Sequence, residues 1–138
     1  MTLIEFFVSD MKRSIGYYEA LGLRVRENRG EWVQMVRDDS LLVLHDDAHV
    51  AAGPHYFTED IGRRPRGTGV EVVFEVLDVD AAYADAQAGG IQIVKPLQDR
   101  PWHARDFRIA DPDGYFVRFT SPLLADHLVR PSEDSGRE

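Results

Sequence analysis

An α+β architecture is expected for this chain of 138 residues: two βαβββ modules that share a cupped mixed sheet. The main observation is an internal echo. Val8-Ser9-Asp10 opens an amphipathic stretch that stops at Gly22-Leu23, and Val76-Leu77-Asp78 opens another that stops at Gly90-Ile91. Asp10 to Asp78 and Gly22 to Gly90 are both 68 residues. Each copy continues into a strand and then a two-strand hairpin. Such a unit cannot bury its sheet face alone, so two copies in one chain imply a shared structure with a cavity.

Residues 3–8, Leu-Ile-Glu-Phe-Phe-Val, are short, apolar and aromatic-rich, as a buried strand requires. Asp10 is a good helix N-cap, and Met11, Ile15, Tyr18 and Leu21 form a stripe at helical spacing. Gly22 supplies the left-handed residue that ends the helix. Strands are expected at about 23–28, 31–37 and 40–46, with a tight turn at Asp38-Asp39. Residues 47–68 read as a break, with Gly53-Pro54 and the basic run Arg63-Arg64-Pro65-Arg66-Gly67.

The second module should hold a strand at 70–76 and a helix capped by Asp78 with Val79, Ala82, Tyr83 and Ala86 inward. A strand at 91–95 is stopped by Pro96, and a loop runs through Pro101-Trp102. Strands near 104–110 and 115–120 flank the turn Asp111-Pro112-Asp113-Gly114. The expected division is one domain over 1–122: module one about 3–46, linker 47–68, module two about 69–121. Residues 123–138 form an extension, with a short helix at 123–129 and a solvated tail.

Composition narrows the function classes. With 43% hydrophobic residues the chain can bury a proper core, and without Cys it has no disulfide, thiolate metal site or cysteine nucleophile. A formal net charge of −8 argues against nucleic-acid binding. That charge is either a solubility device or a field that favours a cationic ligand. Residues 1–5 lack the basic and apolar pattern of a signal peptide, and no segment has the roughly 18 apolar residues of a membrane span. A cytoplasmic protein with no membrane partner is expected. There is no Gly-x-Ser-x-Gly elbow and no phosphate-binding glycine loop, which disfavours nucleophilic hydrolysis.

These residues together resemble the vicinal oxygen chelate superfamily. Val8-Ser9-Asp10 with Tyr17-Tyr18-Glu19-Ala20-Leu21-Gly22-Leu23 is similar to its N-terminal signature. Phe74-Glu75-Val76 and Asp111-Pro112-Asp113-Gly114-Tyr115 are similar to the start and end of its second module. Within the superfamily the bleomycin resistance proteins are resembled most. The stretches that carry this are Trp32-Val33-Gln34-Met35-Val36-Arg37-Asp38-Asp39 and Pro101-Trp102-His103-Ala104-Arg105-Asp106-Phe107. The resemblance implies a strand-exchanged homodimer whose grooves sequester a bulky cationic drug without chemical change.

It also implies where a metal would sit in the superfamily's enzymes: at Leu3, Val43, Glu71 and Arg118 of this chain. Leu, Val and Arg cannot ligate a divalent cation, and one carboxylate does not make a site. No metal and no other cofactor is therefore expected. His45 and His49 are four apart, which would pair their imidazoles on a helix, but His45 should end a strand and both read as exposed loop histidines.

Strand alternation then places the ligand-facing residues. Leu3, Glu5 and Phe7 should face the cavity on the first strand, with Ile4, Phe6 and Val8 in the core. Glu71, Val73 and Glu75 should face it on the fifth, and Phe116 and Arg118 on the last. Trp102 and His103 should sit at the pocket mouth, and Trp32 nearby. The candidate ligand-binding set is thus Glu5, Phe7, Trp32, Glu71, Glu75, Trp102, His103, Phe116 and Arg118, with no catalytic residue. Carboxylates beside aromatic faces suit a flat or cationic organic ligand. The competing reading is that Glu5 or Glu75 pairs with Arg118 or Arg105 and closes the cup, and that Phe7, Phe116 and Trp32 are ordinary packing. The leading expectation is a metal-independent, drug-binding protein of the bleomycin-resistance type. The alternatives are a glyoxalase- or dioxygenase-like enzyme with a displaced metal site using Glu71, Glu5 and a histidine, and a non-catalytic partner-binding or regulatory module.

Overall fold

The computed structural model describes residues 1–122, so the helix expected at 123–129 and the tail lie outside the described residues. Two compact units form among the described residues: Met1–Val70 with Asp111–Tyr115, and Glu71–Ala110 with 116–122. Each contains a four-stranded mixed sheet of the expected βαβββ type.

In the first unit, β1 (Ile4–Val8) leads to α1 (Met11–Ala20), then β2 (Arg24–Asn28), β3 (Trp32–Arg37) and β4 (Ser40–Asp46). The sheet order is β1-β4-β3-β2, with β1 parallel to β4 and the rest antiparallel. Helix α1 starts where Asp10 accepts a hydrogen bond from the Arg13 amide at 3.0 Å, the side-chain cap its position promised. It ends at Leu21, with Gly22 at φ 87. Its buried face is Ser14 and Tyr18, with Leu21 following; Met11 and Ile15 of the expected stripe are only half-buried. Against it pack Phe6, Val8, Val33, Met35, Leu42 and Leu44, all nearly inaccessible. Each such side chain contributes about 1.5–3 kcal/mol of burial free energy. Ile4, expected in this core, stays 37% exposed because β1 is an edge strand.

The segment expected as a plain break contains α2 (Ala48–Ala52), which buries Val50. Its pattern is too short to show a helical period.

The second unit repeats the plan with β5 (Glu71–Glu75), α3 (Val79–Ala88), β6 (Ile93–Arg100), β7 (Ala104–Ala110) and β8 (Phe116–Pro122), in the order β5-β8-β7-β6. Asp78 caps α3 by accepting from the Ala81 amide at 3.0 Å, and Val79, Ala82 and Ala86 are buried. Tyr83 is half-buried, with its ring 5.0 Å from Phe107. Phe107, Phe119 and Phe74 stack beneath the helix at centroid distances of 5.3 and 5.1 Å. One expectation is corrected: Pro96 does not stop the strand. β6 is an edge strand with register shifts between Ile93 and Lys95 and between Lys95 and Gln98, so the missing amide is tolerated there.

Candidate functional site

In the first unit the site is set by strand register. Phe7 pairs with His45 across β1–β4, and His45 pairs with Trp32 across β3–β4. Paired residues share a face, so Trp32, His45 and Phe7 form an aromatic row on the side away from α1. One step along, Gln34, Val43 and Glu5 form the next row. The Phe7 ring lies 5.6 Å from His45, 5.3 Å from His55 and 5.7 Å from Phe57. Glu5 Oε2 stands 3.4 Å from His45 Nδ1, an ion pair only when the imidazole is protonated. Trp32 is half-buried, and the Arg29 guanidinium covers its ring at 5.1 Å.

Beside this face is a cavity of about 330 Å³, walled by Phe7, Phe57, Ile61, Pro65 and Tyr115, with Glu5, Asp60, Arg63 and Arg66 as its charged members. That volume is at the small end for ligand pockets, enough for a planar aromatic group. Segment 53–68 closes it, and its placement is fixed by buried polar contacts. Arg66, 8% exposed, donates to the Phe7 carbonyl at 2.8 Å and to Asp47 at 2.5 Å. Tyr115 donates to the same Phe7 carbonyl at 2.9 Å, and its oxygen accepts from the Phe7 amide at 3.2 Å. Buried Asp113 accepts from Ser9 Oγ at 2.7 Å and from Arg64 at 3.1 Å. Gly67, at φ 73, lies so near Tyr115 that an added Cβ would meet its ring at 2.8 Å. These contacts hold the wall rigid.

Burial pushes the Asp111 carboxyl up from the usual carboxylate range, while hydrogen bonds from Tyr18 and from the Tyr115 and Asp113 amides pull it back. Burial, then the Asp111 charge, raises the Tyr18 phenol well above its ordinary value. Burial also raises Tyr115, opposed by Arg66. Tyr115 therefore acts here as a neutral wall and hydrogen-bond donor.

The second unit presents a differently charged face opposite α3. Glu71 lies 3.6 Å from both Arg108 and Arg118, whereas the pairs weighed from sequence were those of Glu5 and Glu75, and Glu5 stands beside His45 instead. Arg105, the other partner considered, pairs instead with Asp99 and Asp80. Glu75 is exposed beside Thr120 in the register. Phe116 is half-buried, in register with Glu71 and Ala110. Trp102 and His103, both half-buried, occupy the β6–β7 turn, where His103 adopts φ 59 and its amide donates to the Arg100 carbonyl at 3.2 Å. That turn adjoins the Ala104–Pro122 pair, whereas Glu71 is in line with the Ala110–Phe116 pair. Six residues of strand, roughly 20 Å, thus part Trp102 from Glu71. The expected meeting of these two side chains is corrected by strand length.

His55, Phe57, Tyr115 and Arg66 were not among the candidate site residues, and His45 was weighed only as half of a metal pair with His49. His45 is half-buried in β4, not in a loop, and could have been found from its parallel register with Phe7. His49 lies on α2 and pairs with Glu31. The two rings are 6.2 Å apart, one on a strand and one on a helix, so the helical i, i+4 pair does not form. Nothing local in 53–68 announced its place beside Phe7.

Residues 2–119 match the glyoxalase/bleomycin resistance protein/dioxygenase superfamily. The chain belongs to that superfamily. No curated protein matches it. Among solved structures, TioX from Micromonospora sp. ML1 is 21% identical, with a TM-score of 0.68, over 88% of this chain and 94% of that one. Lactoylglutathione lyase from Agrobacterium tumefaciens is 18% identical, with a TM-score of 0.64, over 90% and 95%. A bleomycin-binding protein complexed with bleomycin is 18% identical, with a TM-score of 0.63, over 88% and 97%. At these identities the likeness is one of fold, and function must come from the site.

The superfamily's metal positions can be tested against this chain's own residues. Val43 is buried and apolar, and Leu3 is apolar and 43% exposed. Glu71 is shared by two guanidiniums, one of them Arg118, which occupies the fourth position. This donor set does not fit a divalent cation.

Proposed function

We propose that this superfamily member is a metal-independent small-molecule binding protein of the bleomycin-resistance type that acts by sequestration. The observation that carries the reading is the first-unit face. There an acidic side chain, Glu5, borders an aromatic row and a cavity of about 330 Å³ with mostly apolar walls. Such a surface receives a flat aromatic group by stacking on Phe7 and pairs a cationic substituent with Glu5. The bleomycin-binding relative is a precedent for this use of the fold. The apolar residues at positions 3 and 43 support the metal-free form of the reading over a displaced metal site.

The remaining candidates, Trp32 on the first unit and Glu71, Glu75, Trp102, His103, Phe116 and Arg118 on the second, are proposed as ligand contacts on their own units. A homodimer is part of the proposal, because among the described residues β2, β5 and β6 each pair on one side only, and exposed Leu3, Ile4, Val73, Leu77 and Val94 are liabilities for a lone chain. Among the described residues no helix is long and apolar enough to cross a membrane. A cytoplasmic role in drug resistance is the proposed setting.

Fluorescence titration of the native protein with cationic aromatic compounds and their neutral analogues tests the reading. Saturable binding that prefers the cation, weakened about tenfold by Phe7→Ala, is expected. Equal affinity for cation and neutral analogue in the native chain and in Glu5→Gln would overturn it.

A further inference from the structure

On the face of the second sheet away from α3, the antiparallel register sets Arg108 directly opposite Arg118. Like charges so placed weaken a strand pair. Their acceptors are incomplete as well: Nε of Arg108 and Nε of Arg118 are both buried without a hydrogen bond. Glu71 offers Oε2 to Arg108 and Oε1 to Arg118, each at 3.6 Å, an attraction but longer than a hydrogen bond. Beside them Asp106 is fully buried. Its Oδ1 accepts from Arg100 Nε at 2.9 Å, while Oδ2 has no hydrogen bond and stands 3.7 Å from Arg118 and 3.9 Å from Arg108. Among the described residues three guanidiniums thus face two carboxylates. One positive charge is left over, in a chain whose formal net charge is −8. The Arg108 and Arg118 side chains are 23% and 21% exposed, although their Nε atoms lie buried beside Glu71.

We propose that this face is an oxyanion site, which seats the carboxylate or phosphate group of a small anionic molecule between Arg108 and Arg118. Glu71 marks where the guest's oxygens go, one towards each Nε, and acts as an internal competitor. Its side chain is 31% exposed and can turn into solvent when a better-seated oxyanion arrives. A guanidinium presents a planar fork that matches a carboxylate or phosphate edge, so two of them facing each other hold such a group at both ends. Asp106 and Arg100 act as positioning residues, because the buried carboxylate keeps Arg108 and Arg118 turned towards one point. The site lies wholly on the second unit, gives Glu71 and Arg118 a defined role there, and prefers the opposite charge to that proposed for the first-unit cavity.

Calorimetric titration at low ionic strength tests it, with inorganic phosphate and benzoate as separate probes. Native protein should bind at one site per chain. Glu71→Gln, a conservative change at a partly exposed residue, should bind about tenfold more tightly because the competitor is gone. Arg118→Gln should bind at least about tenfold more weakly. Arg24→Gln, which removes an exposed charge in the first unit, should leave binding unchanged. Phosphate and benzoate distinguish a phosphate-selective site from a carboxylate-selective one, and saturable binding of either supports the assignment. No saturable heat with native protein and Glu71→Gln up to about 10 mM, well beyond a millimolar dissociation constant, would overturn it. Unaltered affinity in a folded Arg118→Gln would do the same. A cationic aromatic titration of Phe7→Ala and Glu5→Gln reads the first-unit cavity separately, so failure of one assignment is not failure of the other.

Discussion

The Tyr18 hydroxyl donates to Asp111 at 2.7 Å, both residues being buried, and so ties the first helix to the Asp111-Pro112-Asp113-Gly114 turn. A hydrogen bond to a buried carboxylate is worth about 1.5–3 kcal/mol, and Tyr18→Phe should lose that much in urea unfolding. Asp111 also gives a pH signature. Its folded pKa is raised, chiefly by burial, so in the interval between the unfolded and folded values the native state holds more protons. Stability from this group is therefore full below the unfolded pKa and falls as pH rises through the folded one. In acid-range unfolding curves, native protein should lose stability relative to Asp111→Asn as pH climbs through that interval. A constant difference between the two would show that Asp111 is not the responsible group. At this scale the sequence was partly legible. The alternation that put Glu5 and Phe7 on one face needed only the period of a strand. The Glu71 pair with Arg108 did not, because it depends on which strand lies next to β8.

Helices α1 and α3 each begin at an aspartate found from the repeat alone, and the two caps have the same geometry, with amide contacts of 3.0 Å to Arg13 and Ala81. Asp10→Ala and Asp78→Ala should each cost about 1 kcal/mol in chemical denaturation. A much larger loss at one of them would mean that the repeats are not energetically equivalent. The turn before β8 is less forgiving. Gly114 has φ 94, and an added Cβ would lie 2.8 Å from the Pro65 backbone. Gly114→Ala should destabilise by at least about 1–3 kcal/mol of backbone strain and also disturb the cavity wall, seen as a lowered Tm and weaker aromatic binding. What the sequence obscured among the elements has local causes. Pro96 reads as a strand stop because its amide is missing, yet an edge strand has no partner on one side to miss it. Helix α2 is a turn and a half long, below the window in which periodicity shows.

At the level of the whole chain, the repeat, the Asp-Pro-Asp-Gly turn and the order of strands carried both βαβββ modules and the superfamily. The site was less legible, since Phe57, Pro65 and Arg66 reach Phe7 through a connection with no pattern of its own. The terminal strands β2, β5 and β6, each paired on one side among the described residues, lead to a prediction here: sedimentation at micromolar concentration should give a dimer of the 15.7 kDa chain, and a monomer alone would contradict the proposed assembly. Sequestration makes a sharper demand, that the ligand leaves as it arrived. The decisive measurement is mass spectrometry of a bound cationic aromatic compound, recovered after prolonged incubation with the protein and added divalent metal. Sequestration requires quantitative recovery of the unaltered compound, protected at no more than one equivalent per site. Accumulation of a modified product beyond one equivalent, abolished by a chelator, would contradict it and restore the metalloenzyme reading.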